Sequence, residues 1–386
     1  MRFTPGSSAR RRVRGPLFAL TLALLLPCAT PRAEIVKMVS LLTGAQDGVV
    51  SDALGVGHYT IDTDANTLDY EIRFGGLSSS ETAAHFHGPA DPGVDAGPIH
   101  TLALGAVKTG TWNYDEGQEA DILGGRVYVN VHSSNHAPGE IRGQVVDMVA
   151  LLDVAQEDNP SNTSTASGVG LFMIDRDANT LDYYILFDGL VAAESAAHIH
   201  GLSLHGTASS PLHTLAAGSP KDGSWNYNEN QEAAILSGLT YVNVHSTTYP
   251  GGEIRGQITN NLAFLDAAQE GGSVSSSAYG VASFSHDPAN LQLGYYITYA
   301  DLTSAESVAH IHGYAAPGSP AGPLHTLPTS NPKLGVWDYL GALAGPMDQL
   351  YVNIHTSNNP GGEIRGQLQP VENVVVPVEL STFGMQ

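Results

Sequence analysis

Cysteine is almost absent from this sequence, which has a single one, Cys28, in 386 residues. One cysteine forms no internal disulfide and supplies no thiolate cluster for a structural metal. Stability must therefore come from packed apolar side chains, and any metal site must use other ligands.

Basic residues are also scarce. The chain has 16 lysines and arginines against 38 acidic residues, a formal net charge of −22. Six of the arginines precede Glu34, so the 10 basic and 38 acidic residues of the remainder give a net charge of −28. Phosphate backbones and anionic membranes would repel so acidic a body, and we therefore expect no nucleic-acid partner.

Long hydrophobic runs are missing as well. Arginines up to Arg14 lead into an apolar stretch from Leu17 to Leu26, which is too short to span a bilayer. A basic segment followed by a short apolar one is typical of a secretory signal. We expect residues 1–33 to be a signal peptide, and the product to be secreted, periplasmic or at the cell surface without a transmembrane segment.

What the chain does contain favours an all-β fold. Charged residues make up only 14%, glycines number 43, and β-branched and aromatic residues recur in short runs. Apolar residues alternate from Leu68 to Phe74, which predicts a half-buried strand, and a turn at 63–67 pairs it with residues 59–62. Short strands between such turns are typical of a Greek-key β-sandwich or barrel.

The sequence repeats itself three times. His85 recurs as His198 and His310 at intervals of 113 and 112 residues, and the three tryptophans follow the same spacing. A period this long indicates whole domains in tandem. The predicted domains are residues 34–147, 148–259 and 260–370, followed by a tail at 371–386.

Twelve of the sixteen histidines occupy four positions that all three copies share. In the first copy, two histidines flank Phe86, and the last one ends the run 128–132. Side chains alternate along a strand, so a core-facing Phe86 leaves both of its neighbours outside, and the valines of 128–132 do the same for the last histidine. The candidate ligands are His85, His87, His100, His132, His198, His200, His213, His245, His310, His312, His325 and His355.

Four imidazoles on the outside of one barrel wall could converge on a single ion. Neutral imidazole is a good ligand for copper and zinc. Without cysteine, and with no further carboxylate evident in every copy, the set favours copper, with zinc second, at up to one ion per domain. Alternatively, the histidines are surface residues without a metal. We interpret in that way those that have no counterparts, which are His58, His136, His205 and His286.

A Gly-Glu-Ile-Arg-Gly-Gln segment closes each copy and puts Glu140 and Arg142 on one strand face. The arginine could draw a small anion to the metal or hold a carboxylate near it. Equally, the two residues could form an exposed ion pair on an edge strand, where such a pair contributes little. The candidate catalytic arginines are Arg142, Arg255 and Arg365.

The segments 83–88, 98–102, 128–132 and 139–144, with their counterparts, resemble the CHRD domain. The resemblance covers residues 34–369 in three copies. It implies extracellular β-domains whose biochemical role is largely unassigned.

The first copy is also similar, more distantly, to the copper–zinc superoxide dismutases. That resemblance implies a superoxide-dismutase-like barrel, as an alternative to an immunoglobulin-like sandwich. It also implies superoxide as substrate, His100 at the place of the bridging ligand, and Arg142 at that of the anion-guiding arginine. The chain lacks the zinc-site residues and the cysteines of that family, as copper-only members do.

Three functions therefore stay open at this point. The first is copper binding for storage, buffering or electron exchange. The second is a copper-only, dismutase-like reaction on superoxide or another small anion. The third is a structural or adhesive role in which the histidines are incidental. The sequence does not identify a protein partner.

Overall fold

A computed structural model describes residues 35–157, 159–272, 274–339 and 345–369. The predicted signal peptide and tail lie outside these ranges. Among the helices within them, none is long and apolar enough to cross a membrane.

The described chain is all-β, as predicted, and forms three antiparallel eight-stranded sheets, one for each repeat. The first contains β1 (Ile35–Thr43), β2 (Leu54–Asp62), β3 (Thr67–Gly75), β4 (Glu81–His87), β5 (Pro98–Thr101), β6 (Val107–Asn113), β7 (Tyr128–Ser133) and β8 (Ile141–Gln144). The second contains β9 (Met148–Asp153), β10 (Ser167–Asp175), β11 (Thr180–Asp188), β12 (Glu194–Gly201), β13 (Pro211–Thr214), β14 (Lys221–Asn226), β15 (Thr240–Ser246) and β16 (Ile254–Ile258). The third contains β17 (Leu262–Asp266), β18 (Tyr279–Asp287), β19 (Gln292–Ala300), β20 (Glu306–His312), β21 (Pro323–Leu327), β22 (Lys333–Asp338), β23 (Tyr351–Thr356) and β24 (Ile364–Gln367).

Helices are short and lie in the connections. The segment before β7 contains one helical turn, and its counterpart before β15 does the same. The α-helices are α1 (Glu119–Leu123) and α2 (Glu232–Leu236). The 3₁₀ helices are Gly44–Asp47, Glu116–Gln118, Val154–Gln156, Glu229–Gln231, Ala267–Gln269 and Met347–Gln349.

Strand order is the same in all three sheets. In the first it runs β5-β4-β7-β8-β1-β2-β3-β6, so three connections join strands that are not neighbours, from β3 to β4, from β5 to β6 and from β6 to β7. The predicted hairpin is present as β2 and β3, joined by a turn in which the Asp62 carboxylate accepts the N–H groups of Asp64 and Ala65 at 3.1 and 3.0 Å. Such Asx bonds are the reason that aspartate favours this turn.

Each sheet curls around its own hydrophobic core. In the first domain Phe86, Val129 and Trp112 lie in that core, and Phe86 stacks on the indole at 5.4 Å. The tryptophans are core residues in every domain.

A fourth core lies among the three domains. We call its surface on each domain the central wall, formed by the outward faces of β1 and β2, of β9 and β10, and of β17 and β18. Met38 and Leu42 point into the first domain, whereas Val39 and Leu41 point out into the shared core. The first strand of each domain is buried on both faces, which explains why apolar residues occupy both sets of alternating positions in it.

Each domain contacts both of the others. Met173 of the second domain packs against the core of the first, and Tyr296 of the third bonds Asp153 of the second. Arg73 of the first domain pairs with Asp266 of the third at 2.8 Å. The three domains therefore form a closed ring around the shared core.

Two histidines that the sequence assigns to the surface lie between domains, so that interpretation was wrong for them. His205 is 1% exposed and bonds the hydroxyls of Ser285 and Ser283 on β18, at 2.7 and 3.0 Å. His58 is largely buried on the central wall and bonds the backbone of Leu262. The cause is domain packing, which a copy-by-copy comparison of the sequence does not contain.

Candidate metal centre

The register between β4 and β7 builds a cluster of histidines. Phe86 pairs with Val129, and both point into the core. Side chains alternate along a strand, so the residues next to Phe86 on β4 and next to Val129 on β7 point outward. As a result, His85, His87 and His132 share the outer face of these two strands, which we call the histidine wall. The equivalent strands are β12 and β15 in the second domain and β20 and β23 in the third.

Three imidazoles converge in every domain. One nitrogen from each ring can be chosen so that all three lie within 4.8 Å of one another. Nδ1 of His85 is 3.3 Å from Nε2 of His132. Two nitrogens that bind one ion at about 2.0–2.1 Å in tetrahedral geometry are about 3.3 Å apart, so this spacing fits a common ion. The three groups are His85, His87 and His132; His198, His200 and His245; and His310, His312 and His355.

Backbone carbonyls fix which nitrogen faces the cluster. Nδ1 of His87 bonds the carbonyl of Ala96 at 2.8 Å, and Nδ1 of His132 bonds that of Ala137 at 2.9 Å. A carbonyl only accepts, so each Nδ1 carries the proton and each Nε2 keeps a free lone pair. The same bonds recur at His200, His245, His312 and His355.

The electrostatics of the cluster favour neutral rings. Burial lowers the pKa of His87, and the neighbouring His132 and His85 lower it further. Burial, followed by His132, also lowers the pKa of His85. Imidazole binds a metal in its neutral form, so the packing prepares these rings as ligands.

The fourth predicted ligand is not part of the cluster. His100 on β5 pairs with Phe86 and therefore faces away from the histidine wall, where it stacks on Trp112 at 5.4 Å. Its counterparts stack on the corresponding tryptophans. The expectation that four imidazoles converge is corrected to three, and the residues left out are His100, His213 and His325.

The predicted arginines are close to the site, but they are not exposed to an incoming anion. Arg142 is 1% exposed, and its guanidinium lies 3.5 Å from the centre of the Tyr128 ring. The alternative of an edge-strand pair with Glu140 is also corrected, because β8 lies between β7 and β1 inside the sheet. The Glu140 carboxylate instead bonds Ser51 and Ser78. Arg255 and Arg365 are buried in the same way.

A carboxylate beside the site was missed. Asp47 lies under the amide of Asn130, which is paired with His85 across the strands, and a Cβ at Gly139 would overlap both Asp47 and Asn130. The repeated Ala-Gln-Asp/Glu motif would have revealed this residue by self-comparison, so the expectation of no shared carboxylate was wrong. Its counterparts are Glu157 and Glu270.

Burial makes this carboxyl group a weak acid. Desolvation raises the pKa of Asp47 to about 6 and those of Glu157 and Glu270 to about 7, although a neighbouring arginine opposes the shift in each domain. One carboxylate oxygen and the Oδ1 of the facing asparagine have no partner among the described residues. A proton on the carboxyl group would join the two oxygens.

Comparison with known proteins agrees with this architecture. The profile of the CHRD domain matches residues 38–145, 148–258 and 262–368. The chain is also 27% identical to Chordin from Xenopus laevis over 256 residues, which is 59% of this chain and 27% of that protein. The chain therefore spans about a quarter of the length of this relative. With three matches that together cover most of its length, the chain belongs to the CHRD-domain family.

Proposed function

We propose that each of the three CHRD domains binds one copper ion through three imidazoles, with zinc as the second candidate. The observation that carries this proposal is the pair of carbonyl-bonded rings in each domain, which turn free Nε2 atoms towards one point. Three nitrogens without a thiolate suit copper and zinc better than calcium or magnesium, which prefer oxygen ligands.

The role that fits this set best is metal storage, buffering or electron exchange outside the cytoplasm. Three protein ligands leave one coordination position for water or a small molecule. The predicted signal peptide supports secretion or a place at the cell surface. Metal exchange would require a partner protein, and the identity of that protein is unknown.

A copper-only, dismutase-like reaction is the second candidate, and the open position favours it. When bound, copper supplies one-electron chemistry towards oxygen species. Two features weigh against a fast reaction on an anion. The chain from Glu34 onward carries a net charge of −28, and Arg142 is buried against Tyr128 instead of facing solvent.

Metal analysis of the exported protein tests the proposal. We expect about three copper ions per chain after loading and dialysis, one for each cluster. His132→Ala should remove about one of the three, because it deletes a ligand from one domain only. The matched control is His100→Gln, which changes a shared histidine on the other side of the same sheet and should leave the metal content unchanged.

Each outcome has a definite meaning. Nitrogen splitting from three imidazoles in the cupric spin-resonance spectrum would support the ligand set. Fewer than one bound ion per chain would overturn the proposal and leave the structural or adhesive role. A superoxide assay on the loaded protein, compared with His132→Ala, separates storage from catalysis.

A further inference from the structure

A stack of three side chains stands beside each histidine cluster. In the first domain the ring of His87 lies on that of Tyr128, with centroids 5.0 Å apart and planes inclined by 18°. The guanidinium of Arg142 lies 3.5 Å from the centre of the same tyrosine ring. β4 and β8 flank β7 on opposite sides, so the histidine and the arginine cover opposite faces of the tyrosine. The stack recurs as His200, Tyr241 and Arg255, and as His312, Tyr351 and Arg365.

The same three side chains hold one loop. The carbonyl of Ala96 accepts from Nδ1 of His87 at 2.8 Å and from the hydroxyl of Tyr128 at 3.2 Å. Arg142 donates to the carbonyl of the nearby Val94 at 2.9 Å. The ligand ring, the tyrosine and the arginine are therefore tied to each other by stacking and to residues 94–96 by hydrogen bonds.

The second and third domains repeat this network with different loop residues. Ser209 replaces Ala96 in the second domain and Ala321 replaces it in the third. The arginines bond the carbonyls of Leu204 and Ser319. Backbone carbonyls of the loop accept these bonds in every domain, so the loop sequence can differ while the ligand geometry is retained. In the first domain the side chain of Asp95 also accepts from Arg142, at 3.3 Å.

We propose that Arg142, Arg255 and Arg365 are positioning residues that act through the stacked tyrosine to hold one ligand imidazole towards the metal. The inference rests on the proposed function, because it assigns these residues a part in the same site. A flat guanidinium covers the tyrosine ring and also bonds the loop, which the point charge of a lysine does not reproduce.

The test uses a protein with one working site. In the full chain, His245→Ala and His355→Ala leave only the first domain able to bind copper. Arg142→Lys is then added, and copper affinity is measured by competition titration. We expect the affinity to fall about 10- to 100-fold, the usual effect of losing a group that orients a metal ligand. The cupric spin-resonance parameters should shift as well, while the midpoint of thermal unfolding without metal stays within a few degrees.

A second variant keeps the test decisive if the lysine variant folds poorly. Tyr128→Phe retains the stack but removes the hydroxyl bond to Ala96, and should give a smaller loss of affinity. Nitrogen-15 resonances of the His87 ring in the metal-free protein provide a readout that needs no copper. We expect Nδ1 to be protonated in the parent and to lose this preference in Arg142→Lys.

The two proposals fail in different ways. If the parent with one site binds no copper, the proposed function is wrong, whatever the ring resonances show. If the parent binds copper and Arg142→Lys has the same affinity and the same spectrum, the arginine is a packing residue and the inference is overturned.

Discussion

The central wall and the histidine wall are two outer faces of the same sheet, yet they carry opposite chemistry. On the central wall the outward residues of β1 are Val39 and Leu41, which are buried among the domains. On the histidine wall the outward residues of β4 are His85 and His87. Both strands use the same alternation, so the residue type on the outward positions decides whether a wall packs against other domains or presents a cluster of imidazoles.

Loss of volume on the central wall should have the largest effect. Phe264 belongs to the shared core and is 3% exposed. Phe264→Ala should lower the free energy of unfolding by about 3–5 kcal/mol, because it leaves a cavity in the core that the three domains share. The control is His85→Ala on the histidine wall, which should cost less than about 1 kcal/mol without metal. Urea unfolding checks both, and equal losses would contradict the division between the walls.

Acid should weaken the central wall. Burial lowers the pKa of His58 to about 4, against the opposing effect of Glu71, while Arg73 and Lys37 lower it further. Below pH 6.5 the His58 ring therefore binds a proton in the unfolded chain but not in the folded chain. The free energy of unfolding falls as pH decreases from that value. By pH 5 the loss is about 2 kcal/mol.

His58→Gln provides the measurement. It removes the titrating group, so urea unfolding of this variant should lose about 2 kcal/mol less than the parent between pH 7 and pH 5. An unchanged slope in His58→Gln would show that this buried ring is not a source of acid sensitivity.

The carboxyl group beside the histidine cluster should give a pH dependence of stability in the opposite direction, and a weaker one. The pKa of Glu157 is raised to about 7 by burial, so the folded chain holds a proton that the unfolded chain releases above its ordinary value near 4.5. Stability from this group is therefore complete at low pH and declines as pH rises to 7. After allowance for partial exposure, the decline is about 1–2 kcal/mol.

Glu157→Gln mimics the protonated side chain and should remove that decline in urea unfolding between pH 5 and pH 8. The carbonyl stretch of a protonated carboxyl group, recorded by infrared spectroscopy at pH 5.5, should be weaker in the variant. If the free energy of unfolding changes with pH in the same way in the parent and in Glu157→Gln, the assignment is wrong.

Much of the fold follows from the sequence because it depends on local pattern. Alternation from Leu68 to Phe74 predicts β3, and His-x-His around Phe86 predicts two outward rings on β4. The position of His100 failed for a different reason. Its side of the sheet depends on the pairing of β5 with β4, and a shift by one residue would have reversed it.

Contacts between domains were the other part that local pattern could not supply. Nothing near His205 in the sequence indicates Ser283 or Ser285, which are about eighty residues away in another domain. The carboxyl group of Asp47 was different, since the Ala-Gln-Asp/Glu repeat was present in the sequence and was overlooked. Buried polar partners are thus best sought by comparing the copies at every position, including short motifs in loops.

The contact of Arg73 with Asp266 brings the last domain back to the first. A linear array of tandem domains can grow by gene duplication, since each added domain needs to contact only one neighbour. Among the described residues, by contrast, every domain touches both of the others. Deletion of one whole repeat should therefore expose to water the apolar residues that the remaining domains contribute to the shared core.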